Sequence, residues 1–100
     1  MKSRRSKATD ISQRVKKKVW DRDGQRCIIC GSPLGMPNAH YISRAKGGLG
    51  IEENIVTLCQ TCHHRYDNGD MQEEYGKKIE NYLKSIYKDW NKENLIYKKY

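Results

Sequence analysis

The chain is expected to fold as a small α+β domain stabilised by zinc, and three observations carry that expectation. Its 100 residues make one domain with only a modest apolar core: hydrophobic residues are 36% of the chain, Phe is absent, and charged residues reach 32%. Four cysteines stand in two Cys-x-x-Cys pairs, and disulfides or a metal usually make up the deficit of so thin a core. Amphipathic helical patterns alternate with short β-branched segments, the mark of mixed helix and strand.

Taken in order, residues 1–10 read as a basic flexible tail, residues 11–90 as the folded domain and residues 91–100 as a C-terminal tail. Thr9 and Asp10 offer N-cap oxygens to a helix running to about Arg22. Ile11, Val15 and Val19 make its apolar stripe. Asp23-Gly24-Gln25 stops it. Arg26 to Gly31, with β-branched residues between cysteines and a closing Gly, predicts a strand bending into a knuckle. Ser32–Asn38 reads as a turn region, and Ala39–Ile42 as a short strand pairing antiparallel with the knuckle segment. Lys46–Gly50 is a glycine-rich loop that permits positive φ and close backbone approach. Asn54–Leu58 leads into Cys59, and Gln60–Asp67 is a helix ended by Asn68-Gly69-Asp70. Met71, Tyr75, Ile79, Tyr82, Leu83, Ile86 and Trp90 mark a second amphipathic helix to about Lys88, with Gly76 as its weak point. Its Tyr and Trp residues read as core and surface cover in preference to a base-stacking platform.

The cysteines carry the firmest chemistry. Cys27/Cys30 and Cys59/Cys62 are separated by 28 residues and account for every Cys in the chain. A two-residue spacer lets each pair turn both thiolates toward one tetrahedral ion at about 2.3 Å, so two pairs close a four-thiolate site with no position left for substrate. A redox dithiol is the alternative, but that chemistry uses one such pair in a βαβ setting that neither pair has. If the first pair sits on a hairpin knuckle and the second at a helix start, the ion pins hairpin to helix.

Charge points to a polyanionic partner. The net charge is +8, and residues 1–26 hold ten Lys or Arg against three Asp, which leaves about +1 for the rest of the chain. Lys2, Arg4, Arg5, Lys7, Arg14, Lys16, Lys17, Lys18, Arg22 and Arg26 are candidates to track phosphates without reading sequence; the alternative is a solvated face that aids solubility. No segment approaches the roughly 20 apolar residues of a membrane span, and the N-terminus lacks the apolar stretch of a signal peptide. A cytoplasmic location and no membrane partner are the expectation, and in a reducing compartment paired thiols are more often ligands than disulfides.

Inside and against the cysteine clamp lie His40, Asn54 and His63, spaced by thirteen and eight residues, with a Gly-Gly loop between. In CIICG, AHYISRAKGG, EEN and LCQTCHHRYDNG, residues 11–69 resemble the HNH endonuclease family, and Lys46–Gly69 resembles HNH proteins of bacteriophages and prophages. The resemblance implies a ββα-metal, treble-clef-like core with flanking N- and C-terminal helices. Catalytic roles are implied for His40, Asn54 and His63, DNA is the implied substrate, and a bacterial host cell the implied setting. Phage packaging proteins are possible partners on that resemblance alone.

Residue chemistry runs parallel. A neutral His40 can take a proton from water, and Asn54, donor and acceptor at once, suits bracing the loop; its alternative is a simple turn residue. His63 and Asp67, four apart, share one helical face and can share a divalent ion, Mg, Mn, Ni or Zn, among which the residues do not choose. The alternative for Asp67 is a helix-terminal turn. His64, on a different helical face, is not expected to bind the ion. Arg44, Lys46, Arg14, Lys17 and Lys18 are the expected DNA contacts. The family often carries Asp or His as a metal ligand just before the general-base His; here that residue is Ala39. This leaves three open readings: a metal-dependent nuclease of low specificity, for which the resemblance implies 5′-phosphate and 3′-hydroxyl ends; a zinc-stabilised DNA-binding module without activity; or a protein-interaction zinc module.

Overall fold

The computed structural model describes residues 4–98. Two helices, α1 (Arg4–Thr9) and α2 (Gln13–Arg22), precede a two-stranded antiparallel sheet of β1 (Met36–His40) and β2 (Ile55–Leu58), and helices α3 (Gln60–Asp67) and α4 (Gln72–Ile86) follow. Short 3-10 turns occupy Arg44–Lys46 and Lys92–Leu95. This is a small α+β domain with a ββα unit, β1-β2-α3, at its centre.

The N-terminal segment is the first departure from expectation. Residues read as a flexible tail form α1, and Met1–Ser3 lie outside the described residues. Six residues are too few to hold a helix by themselves. The segment is stabilised by docking: Thr9 is 4% exposed, and the carbonyl of Ala8 accepts a 2.9 Å bond from the Gly50 N–H. Thr9 and Asp10 accordingly end α1, with Asp10 N–H bonded to the Ser6 carbonyl, and do not cap α2. That cap is Ser12, whose Oγ accepts from Val15 N–H at 3.1 Å. Of the predicted stripe, Val19 is fully buried while Ile11 and Val15 are half-buried.

The strand pairing also differs. The Cys27–Gly31 segment is a turn, closed by Gly31 N–H on the Cys27 carbonyl and Cys27 N–H on the Ser32 carbonyl, both 2.9 Å, with Gly31 at φ 78°. A strand would alternate its side chains between two faces, whereas Cys27 and Cys30 have to turn toward one point. The partner of β1 is therefore β2, with Ala39 opposite Val56 and His40 opposite Ile55. The knuckle touches the sheet through Ile28 N–H on the Thr57 carbonyl at 3.0 Å. The strand begins at Met36, inside the predicted turn region, because Pro37 sits on the register irregularity between Met36 and Ala39 where a missing N–H costs nothing.

One face of the sheet, through Ala39, Val56 and Leu58, packs with the cysteines, Tyr66 of α3 and Tyr75, Ile79 and Leu83 of α4. A Cβ at position 76 would meet the Tyr66 ring at 3.5 Å, an ordinary packing distance, so space does not demand glycine there. Arg22 and Asp23 form a polar hub with side chains largely out of solvent. Asp23 carboxylate oxygens accept from Arg22, Tyr82 and the Thr57 N–H, and Arg22 also donates to the carbonyls of Glu52 and Ile55. Arg22 was a candidate phosphate contact by charge; its guanidinium is spent inside the protein. The C-terminal segment packs as well: Leu95 is 2% exposed, Leu49 N–H donates to its carbonyl, and Tyr97 N–H donates to Gly47, both at 2.7 Å.

Candidate functional site

The knuckle and the start of α3 bring the four cysteines together. Their sulfurs all lie within 4.8 Å of one another, with Cys30 and Cys59 at 3.6 Å. That is far beyond the roughly 2.05 Å of a disulfide, and it matches the spread of about 3.8 Å between thiolates around one tetrahedral ion. Cys59 caps α3, its sulfur accepting from Cys62 N–H at 3.5 Å, and Cys27 accepts in the same way from Cys30 N–H. Burial alone would push the Cys27 thiol up, but backbone N–H groups of Cys30, Cys59 and Ile29 outweigh it and bring it to about 7. Cys62 is pushed up, first by burial and then by the other three sulfurs. Four thiolates this close repel one another unless a cation sits among them. The donor set therefore fits a metal ion.

A cavity of about 1210 Å³ opens beside this frame, and His40, His63 and Asp67 all line it. His40, 9% exposed at the end of β1, places Nε2 at 2.9 Å from the Thr9 carbonyl. A carbonyl can only accept, so the neutral ring carries its proton on Nε2 and keeps its lone pair on Nδ1, which has no hydrogen-bond partner among the described residues. Burial, chiefly, holds His40 below the usual imidazole value; Arg44 and His63 act in the same direction, and the Thr9 carbonyl and Asp67 partly oppose them.

Asn54 is fully buried and its amide is used on both sides. Oδ1 accepts from Ile42 N–H at 2.8 Å, and Nδ2 donates to the carbonyls of Ile42 at 3.1 Å and Leu49 at 2.8 Å. Those bonds tie the two ends of the glycine-rich loop. Inside it, a side chain at Gly48 would meet the Ile42 carbonyl oxygen at 1.7 Å, so only glycine fits. On α3, His63 Nε2 lies 2.9 Å from Asp67 Oδ2, and the two are 27% and 42% exposed.

The expected DNA contacts divide. Arg44 and Lys46 line the cavity, joined by Lys16 from α2; Arg14 and Lys18 border a neighbouring depression, where Lys18 pairs with Glu52 at 3.5 Å. Lys17 is exposed and borders neither. Arg44 is ion-paired with Asp10. Ala39 is fully buried in the core beside the cysteines and does not line the cavity.

Asn38 does line it, and its buried Oδ1 has no hydrogen-bond partner among the described residues. In the sequence it falls within the Ser32–Asn38 turn region, with nothing to mark it as a site residue. Placing it two residues before His40 on a strand would have put both on one face.

Comparison with known proteins agrees with this geometry. The model of the HNH endonuclease family matches residues 27–69, from the first cysteine to the end of α3 and its closing turn. The chain is also 28% identical over 61 residues to Anaredoxin of Nostoc sp., an alignment covering 60% of this chain and 80% of that one. No solved structure matches significantly. With its cysteine quartet, its two-stranded sheet and its following helix inside the matched span, this chain is similar to the HNH endonuclease family over residues 27–69.

Proposed function

We propose that the chain is a metal-dependent endonuclease that hydrolyses DNA phosphodiester bonds with low sequence specificity, built on a structural zinc held by Cys27, Cys30, Cys59 and Cys62. One observation carries the catalytic half: the Thr9 carbonyl occupies Nε2 of His40, leaving Nδ1 as the proton acceptor of a residue that lines the same cavity as His63 and Asp67. His40 takes the proton of a water attacking phosphorus in line. Asn54 holds the loop that follows His40. His63 and Asp67 are a fitting mixed donor set for a second, divalent ion. When bound, such an ion supplies positive charge for the developing phosphorane-like oxygens and the departing 3′ oxygen. Arg44, Lys46 and Lys16 hold backbone phosphates, and since phosphates carry no sequence information, cutting or nicking is unselective. The likeness of Lys46–Gly69 to phage and prophage HNH proteins makes phage DNA in a bacterial cytoplasm the natural setting.

The experiment is incubation of purified protein with supercoiled plasmid and Mg, Mn or Ni, with and without EDTA. Metal-dependent nicking that is lost in His40→Ala while DNA retention persists supports the nuclease. A second reading, a DNA-binding module without activity, is favoured by Ala39: its burial in the core removes the position at which the family often carries a ligand. DNA retention without cleavage under any of the metals would establish that reading instead.

A further inference from the structure

The group that orients His40 lies outside the residues matched by the family. Thr9 is the last residue of α1, and four separate contacts fix the end of that helix, residues 8–10, on the loop from Arg44 to Gly50 and on β1. The Gly50 N–H donates to the Ala8 carbonyl at 2.9 Å. A side chain at Gly50 would meet the Asp10 carbonyl oxygen at 2.0 Å and its carbonyl carbon at 2.6 Å, so the two backbones touch. Asp10 is ion-paired with Arg44 of the 3-10 turn that leads into that loop. His40 itself closes the set through Nε2.

We infer that residues 8–10 are a positioning element of the active site: the Thr9 carbonyl fixes the tautomer and ring direction of His40, and Gly50 is glycine so that this segment can lie close enough to do it. The ββα core alone leaves His40 free to carry its proton on either nitrogen. With Thr9 in place only the Nε2–H form is stabilised, and Nδ1 is presented unprotonated to the cavity. A second link follows from Asn54. Its bond to the Leu49 carbonyl sets the backbone next to Gly50, so Asn54 acts on His40 from two sides, through Ile42 in the strand direction and through the Ala8–Asp10 segment.

The inference rests on His40 being the base, and its test reads the ring directly so that the two can fail separately. In the full zinc-loaded chain with ¹⁵N-labelled histidine, two-bond nitrogen–proton correlations report the His40 tautomer. The wild type is expected to show Nε2–H. Gly50→Ala, which drives the segment off its seat, is expected to give a mixture of tautomers and to lower kcat on plasmid about tenfold to a hundredfold, with zinc content and KM unchanged. Should Gly50→Ala not fold, the same measurement is made on a chain ligated at Cys27 from a synthetic 1–26 peptide carrying an ester between residues 9 and 10, which weakens the Thr9 carbonyl as an acceptor and keeps every side chain. An Nδ1–H ring in the wild type, or an unchanged tautomer and kcat in the folded variant, overturns the inference. A wild type that shows Nε2–H and shifts in the variant, yet cuts no DNA, upholds the positioning while removing the nuclease reading.

Discussion

Three of the four cysteines are buried and every sulfur lies within 4.8 Å of the others, whereas His63 and Asp67 keep 27% and 42% of their side chains exposed on a cavity of about 1210 Å³. Among the described residues the cysteine quartet is also the only place where three or more His, Cys, Asp or Glu ligand atoms converge. The first arrangement is closed and completes a core too thin to stand by itself; the second is open and offers coordination positions to something else. On the proposed function, a cation in the quartet serves folding and one on His63 and Asp67 serves the reaction. Each can be removed while the other is watched.

The largest expected effect is on the closed side. Cys27→Ser or Cys59→Ser is expected to unfold the domain, because structural zinc contributes on the order of 10 kcal/mol in small domains; loss of the cooperative thermal transition by circular dichroism checks it, and a well-folded zinc-free Cys27→Ser protein contradicts it. Next is the Arg22–Asp23 hub. Asp23→Ala leaves the Arg22 guanidinium, 13% exposed, without its carboxylate, and is expected to cost roughly 3 to 5 kcal/mol in urea unfolding, as for other broken buried pairs.

On the open side, His40→Ala is expected to lower cleavage by about 10² to 10⁴ while zinc content stays full, and EDTA at a level that strips only the exposed site should do the same. Cleavage by the wild type should fall as pH drops. Since burial holds His40 below the ordinary value of 6.5, the neutral base persists at and below neutrality, and the acid limb of the rate profile lies below that value; a limb above it contradicts this. The smallest effect is Arg44→Ala. With its side chain 54% exposed the pair with Asp10 adds little stability, below about 1 kcal/mol, but DNA retention should weaken evenly across sequences and its salt slope should drop by about one.

What was legible in the sequence follows the same division. Helix α3 stands at Gln60–Asp67 as its pattern predicts, and the quartet follows from spacing, because side chains of fixed type and interval announce themselves. The pairing of β1 with β2 was not legible: which segment accepts a backbone hydrogen bond is decided by tertiary packing, and Ile28–Ile29 looks as strand-like as Ile55–Val56. Thr9 was invisible for a related reason. It acts through a carbonyl, which every residue has. Arg22 misled because charge says nothing of burial, and only Asp23 beside it, fully buried as a side chain, hinted at an interior partner.

The glycine-rich loop has a consequence for portability. Gly50 bonds to Ala8 on one side, while Leu49 and Gly47 bond to Leu95 and Tyr97 on the other, and none of those three partners lies within residues 27–69. A graft of the family signature alone into a foreign scaffold would transfer the cysteine frame but leave backbone groups on both rims of this loop open to water. Engineered fusions that aim to borrow the proposed cutting activity should therefore carry residues 4–98 as the unit of exchange, with joints placed beyond both rims.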